Sequence, residues 1–434
     1  MSSESLLKAL KNELIDNNTI DPKYYDQFEV KRGLRNKDGS GVLAGLSHVS
    51  SVVGFHKIEG EMSPIDGILR YRGVPIQDII GLFNSKSRYC FEVSCFLLLV
   101  GRLPNDEEKA AFIAYMNEHR TLPKDIVEKV IKGLPSKNGM NKLQTAISAL
   151  YGYDADPDNQ DPLENFLKSV QIISKLPLIV AYNYLAANKS APNFVDPPKE
   201  ASIAESFLYV LNEGKAPSEI DAHILDLCLV LHAEHGGGNN STFATHVVSS
   251  SQSDLYSTMA AAAASLKGPL HGSANQEVMD MMEDIKTHVK TWTDKAEICA
   301  YIEKLVRKEA YDKSGKIYGL GHAVYTKSDP RAIIVESYAK NLAKEKGRMD
   351  EMSLYAIIAK EAPAIFQEIK GSSKVIAPNV DFFSGFVYDC LGIPSQIYTP
   401  IFALARVCGW CAHYIEEGLS GKRIIRPAYK YIER

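Results

Sequence analysis

Three histidines, one aspartate and three arginines stand where a side chain can face a cleft: beside glycine, beside proline, or at a helix end. In LHAEHGGGNNSTF a helical pattern runs into Gly236, Gly237 and Gly238 and leaves His235 at its mouth, with His232 one turn behind. His271 follows Pro269 and precedes Gly272 in KGPLHGSAN. In YGLGHAVYTKSDPRA, Gly319 and Gly321 free the backbone around His322, and Asp329-Pro330 reads as the cap and first residue of a helix carrying Arg331 in its first turn. A cation there opposes the helix macrodipole, which implies an anionic ligand shared by the arginine and the helix N-terminus. Asp381 lies near the start of an apolar helix in APNVDFFSGFVYDCLGIP. Arg406 sits on the largely apolar ALARVCGWCAHY, where a guanidinium needs an anionic partner or a cavity, and Arg426 precedes Pro427 in KRIIRPAYKY. Together these groups suit acid/base work on a polycarboxylate.

Helices must position them. Asn105 precedes DEEKAAFIAYMNEH, Pro123 precedes KDIVEKVIKGL, and Ser218 with Asp221 reads as a capping box before Ile220, Ile224, Leu227, Cys228 and Leu231. The run LYSTMAAAAASL (255–266) combines high helix propensity with small side chains and predicts a buried helix that a neighbour can approach closely. The strand signal is local: a small hairpin around Ile65-Asp66-Gly67, with ILRYR alternating after it. No repeat of solenoid period appears, so the fold class is mainly α. The stretch 276–379 is richer in Lys and Glu than its flanks. It reads as a smaller helical domain inserted in a larger one, made of 1–275 with the N-terminal segment and completed by 380–434.

The 434 residues exceed the roughly 250–300 at which one core stops growing, which fits two domains. Lys plus Arg number 49 against 53 Asp plus Glu, so the net charge of −4 gives no broad reason to bind nucleic acid or an anionic membrane. Any anion is held by a few placed arginines. The start, MSSESLLKALKNELIDNN, lacks the pattern of a secretory signal, and no run approaches the ~20 apolar residues of a membrane span; the expected location is cytoplasmic. Seven cysteines without a regular framework fit reduced thiols, including Cys408 and Cys411, which fall on one side of a helix without a second C-x-x-C. GSGVLAG (39–45) follows RNKD rather than a strand, so a dinucleotide fold is not indicated. Two other classes stay open: a metal-dependent hydrolase on His232, Glu234, His235 and His246, although Glu234 falls in neither zinc-protease register, and a non-enzymatic helical interaction protein.

The segments HAEHGGGNNS, GPLHG, GLGHAVY with DPR, NVDFFSG, ARVCGW and RIIRP occur in this order, with DGILRYRG upstream, and in them the chain resembles the citrate synthase family. The resemblance implies a mainly α, two-domain homodimer whose small domain binds CoA and closes over the substrates. It implies a Claisen-type condensation of acetyl-CoA with oxaloacetate followed by hydrolysis of citryl-CoA, with acetyl-CoA as co-substrate, no permanently bound cofactor and no metal. By position, His271 would hydrogen-bond the acetyl carbonyl, Asp381 would remove the methyl proton, and His322 would polarise the ketone. His235, Arg331, Arg406 and Arg426 would hold oxaloacetate, Arg426 in the partner's site. Lys327, near where many members carry an arginine, and Asn379 would contact CoA. The alternative within the resemblance is 2-methylcitrate synthase, which uses propionyl-CoA.

Overall fold

Short polar side chains take the free N–H groups of each first helical turn and so set where helices begin. Asn105 accepts from the Glu108 N–H while Glu108 reaches back to the Asn105 N–H, a complete capping box ahead of Asp106–Glu118. Ser202 and Glu205 repeat it before Ile203–Leu211. Ser218 caps Glu219–His232 through the Asp221 N–H, but the reciprocal bond expected of Asp221 is replaced by an ion pair with Lys346 at 2.8 Å. Aspartate is one methylene shorter than glutamate and reaches back less well. The segment after Pro123 winds wider than expected, with Ile126–Lys132 a π-helix.

The computed structural model describes residues 3–58, 61–371, 375–421 and 423–433, and the fold is mainly α. The alanine-rich run forms the helix Leu255–Lys267, capped by Asp254, with Met259, Ala260, Ala262 and Ala263 buried. Its small side chains let Gly139–Leu150 and Asn240–Ser249 lie against it. At the centre is Tyr398–Ser420, buried from Tyr398 almost continuously to Tyr414, with the helices 90–100, 162–188, 219–232 and 240–249 packed around it. The helix Pro162–Asn188 is long and apolar enough to cross a membrane, but 72% of its most apolar window is buried in the core, and it carries Asn165, Lys168 and Asn183 among its buried residues. Residues up to Leu46 form a compact unit of their own, with helices Ser3–Ala9, Lys11–Asn18 and Lys23–Gln27. GSGVLAG (39–45) in that unit is loop.

The strand signal proves longer than expected and its turn lies elsewhere. β1 (Ser50–Ile58) and β2 (Glu61–Tyr71) pair antiparallel with Ser50 opposite Tyr71 and Val53 opposite Ile68, and β3 (Val74–Pro75) adds a short third strand. The reversal falls between Ile58 and Glu61, so Ile65-Asp66-Gly67 lies within β2 rather than at the turn. Gly67 serves close approach instead: its N–H donates to the Ser328 carbonyl at 3.1 Å, and a Cβ there would collide with that oxygen. At the register shift beside Gly54, a Cβ would likewise collide with the Val324 carbonyl oxygen. The hairpin is therefore a platform for the 322–330 loop. Gly54→Ala should destabilise the fold by about 1–3 kcal/mol in urea unfolding, because the obstacle is backbone that must shift; an unchanged midpoint would show that the loop yields freely.

Candidate active site

Two helices start at the site, and one buried carboxylate serves both. Asp329, 1% exposed, caps Pro330–Glu345: Oδ1 accepts from the Arg331 N–H at 2.9 Å and from its Nε at 3.1 Å. Oδ2 accepts from Arg331 Nη2 at 2.8 Å and from the Val380 N–H at 3.2 Å, at the first residue of Val380–Cys390. The anion expected beside Arg331 is thus supplied first by the chain itself. Burial works against the Arg331 charge, but Asp329 outweighs it and holds the guanidinium above its usual range. Asn379 caps the second helix, its Oδ1 accepting from the Asp381 N–H at 3.0 Å and its Nδ2 donating to the Gly321 carbonyl at 3.0 Å. The residue that the resemblance gave to CoA therefore clips the Asp381 helix to the His322 loop, where Gly319 and Gly321 turn at φ +79° and +94°.

The histidines differ in how they are held. His322 Nδ1 accepts from the Val324 and Tyr325 N–H groups at 3.0 and 3.1 Å, which leaves the ring proton on Nε2. Its ring stacks on Tyr325 at 4.9 Å and meets His235 edge-on at 5.1 Å. His271, on the single turn Pro269–Gly272, has Nε2 3.1 Å from Ser241 Oγ, which also reaches Asn239 Oδ1 at 2.8 Å. Burial, and then the charge of Arg406, push His271 down to about 4, so it is neutral at pH 7. Burial, Arg331 and His322 push His235 well below its ordinary value, and its Nε2 is buried without a hydrogen-bond partner among the described residues.

Burial raises the half-buried Asp381, against the pull of Arg331, Arg406 and the Asn275 side chain. Asn275 Nδ2 is itself placed by Ser384 Oγ at 2.7 Å. Arg406 is fully buried; its Nε donates to the His232 carbonyl at 2.7 Å, and its Nη1 and Nη2 have no hydrogen-bond partner among the described residues. Burial lowers it to about 10. Two parallel N–H groups held open in a dry wall match a carboxylate. Asp381, His235 and His271 all feel the charge of Arg406, Arg331 acts on Asp381 and His235, and His322 meets His235, so these groups are near neighbours.

Two selected residues lie at the surface. Arg426 is exposed on the extended segment after the 398–420 helix, and Lys327 pairs with exposed Asp66 at 2.9 Å. The four side chains of the metal alternative have different neighbours: Glu234 has His413 at 3.0 Å, His246 has Glu417 at 2.8 Å, His232 lies against Phe402 and His235 against His322. Among the described residues no three His, Cys, Asp or Glu could hold a metal. Cys408 and Cys411 point to Cys95 and Met259. Ser241, Asn275 and the pairing role of Asp329 escape a reading of spacing; the first two stand inside the motif strings, but only tertiary contact gives them partners.

The family model for the citrate synthase C-terminal domain matches residues 40–428. A citrate synthase of Synechocystis is 37% identical over 94% of this chain and 92% of its own length. A citrate/2-methylcitrate synthase of Bacillus subtilis is 37% identical over 82% of this chain and 88% of its own. A citrate synthase of Thermoplasma acidophilum, solved in a ternary complex with carboxymethyl coenzyme A and oxaloacetate, superposes with a TM-score of 0.76 at 28% identity, covering 94% of this chain and 97% of that one.

The neutral His271 has a consequence for stability. Its folded value of about 4 lies below the ordinary 6.5, so between these values the unfolded chain binds the proton that the folded one refuses. Stability should therefore fall as pH drops from 6.5 toward 4, and His271→Gln should flatten that fall when urea midpoints at the two ends are compared. An identical fall in the variant would mean that His271 titrates normally.

Proposed function

The chain belongs to the citrate synthase family, and from that premise we propose that His271, Asp381 and His322 carry out the condensation of acetyl-CoA with oxaloacetate in it. The observation that carries this reading is the buried Arg406 fork, open at Nη1 and Nη2, beside a carboxyl raised by burial and imidazoles that stay neutral. A thioester α-proton is very weakly acidic, so a carboxylate removes it only when the developing enolate meets a donor already in place. Asp381 is the base. When the Ser241 hydroxyl turns its proton from Asn239 Oδ1 to His271 Nε2, neutral His271 presents Nδ1–H to the acyl oxygen. The new carbon nucleophile attacks the ketone carbon of oxaloacetate, and His322 Nε2–H meets the alkoxide. Water then cleaves the thioester of citryl-CoA, releasing citrate and CoA.

His235, Arg331, Arg406 and Arg426 hold the two carboxylates, Arg426 reaching into the partner's site of a homodimer. Support for the exchange is that Arg426, Tyr429 and Tyr431 are exposed on an extended segment. We take 276–379 as the smaller CoA-binding domain and 1–275 with 380–434 as the large one. His322 and Arg331 come from the first and His235, His271 and Arg406 from the second, with Asp381 tied across the boundary to Arg331 through Asp329, so closure would complete the site only around bound oxaloacetate. Lys327 would turn to a CoA phosphate, since its exposed pair with Asp66 is worth little. Asn379 would border CoA while keeping its clip. A cytoplasmic location is supported by seven unpaired cysteines.

Release of free CoA from acetyl-CoA tests the chemistry. Release should require oxaloacetate, and Asp381→Asn should lower kcat by about 10²–10⁴-fold; release without oxaloacetate, or an unimpaired variant, would overturn the assignment. Propionyl-CoA in parallel decides the acyl preference, since one methylene is worth about 1–3 kcal/mol. For the exchange of Arg426, Asp381→Asn and Arg426→Ala proteins are unfolded, mixed and refolded. If Arg426 serves the partner, mixed dimers hold one intact site and the mixture regains about a quarter of wild-type activity, whereas no recovery places Arg426 in its own subunit's site.

A further inference from the structure

Arg331 and Arg406 are both buried cations at the site, yet their charges are offset in opposite ways. Asp329 forks Arg331 directly, using Nε and Nη2. Arg406 keeps Nη1 and Nη2 open, and the charge that most supports it, against burial, is that of Glu234. Glu234 is fully buried, at the end of the turn that carries His235, and its Oε1 is saturated: it accepts from Ser50 Oγ at 2.8 Å, the Gly236 N–H at 2.5 Å and His413 Nε2 at 3.0 Å. Its Oε2 is buried without a hydrogen-bond partner among the described residues. That oxygen lies over Gly409, three residues after Arg406 on the same helix, where any Cβ would strike it. The carboxylate is thus held near Arg406 by bonds to other groups and does not fill the guanidinium fork.

We propose that Glu234 is the positioning counter-charge of Arg406, keeping the guanidinium ionised in a dry wall while leaving its two outer N–H groups for a substrate carboxylate. The inference rests on reading Arg406 as an oxaloacetate ligand. Burial alone would raise Glu234, but His413, Arg406 and Ser50 outweigh it and hold Glu234 at about 2, so the counter-charge persists across the neutral range. Glu416 lies behind His413, its Oε2 3.8 Å from His413 Nδ1, and His246 meets the same ring at 5.1 Å. Arg406 is faced in addition by Arg331, Tyr71, Asp381, His232, His235 and His271. Of the carboxylates among these, Asp381 is consumed by the proposed proton transfer, which leaves Glu234 as the standing charge.

Glu234→Gln keeps the shape and removes the charge. In the CoA-release assay, where wild type first shows its oxaloacetate dependence, the variant should raise KM for oxaloacetate about tenfold or more and leave KM for acetyl-CoA within about twofold. Placed in Arg406→Gln, the same change should add less than about twofold, since it acts through Arg406. An oxaloacetate KM within about twofold of wild type, or effects that multiply in the double variant, would overturn the proposal. Wild type without oxaloacetate-dependent release would instead sink the enzymatic reading. If Glu234→Gln does not fold, Glu234→Asp supplies the test: it keeps the charge and should leave the oxaloacetate KM within about threefold of wild type, whereas a rise of about tenfold or more would overturn the proposal.

Discussion

A buried carboxylate that serves two helix N-termini and a guanidinium at once constrains everything around the site. Asp329 has two oxygens and four donors to satisfy: the Arg331 N–H, Nε and Nη2, and the Val380 N–H. Breaking such a buried, charge-assisted set by removing one member costs about 3–5 kcal/mol, so the helices 330–345 and 380–390 are held to one relative placement. Asp381 is the next residue along the second helix, and its position follows from that bond and from the Asn379 cap. Arg331 in turn cannot move without breaking the fork. The spacing between Asp381 and Arg331 is thereby fixed by the packing of the two helices.

Around this anchor, desolvation is used selectively. It pushes His235 and His271 down and Asp381 up, so the same dry surroundings make donors that carry no charge and a base stronger than an exposed carboxylate. It also works against the charges of the two arginines, which carboxylates placed differently support. A forked partner fixes Arg331, whereas a remote one supports Arg406 and leaves its binding face open. One guanidinium therefore has a carboxylate on its Nε and Nη2, and the other keeps Nη1 and Nη2 unpaired among the described residues.

The hairpin and the loops do the remaining positioning through backbone rather than charge. β1 and β2 present glycines at 54 and 67 where the 322–330 loop lies directly on the sheet. That loop closes on itself through His322 Nδ1, which takes two of its N–H groups and thereby selects the tautomer that leaves a proton on Nε2. One imidazole is thus a structural acceptor on Nδ1 and keeps a donor on Nε2, and its own loop orients it.

The sequence by itself determined the helical class, the helix starts at Asn105, Ser218 and Asp329, the alanine-rich helix, and the polar groups set beside glycine, proline or a helix end, because capping and periodicity are local and such neighbours are visible without a fold. It misplaced the turn of the hairpin, because Gly67 looks the same whether it bends a chain or admits another backbone. It also left Arg331 seeking a ligand anion, because the Asp329 side chain reads locally as a cap and only the packed helix pair shows it forking the arginine. The partners of Arg406, the tautomer of His322 and the neutral state of His271 were decided by the tertiary structure alone. The first and last depend on burial and on groups more than a hundred residues away in the chain, and the tautomer depends on how the 322–325 loop closes on itself, none of which is carried by local sequence.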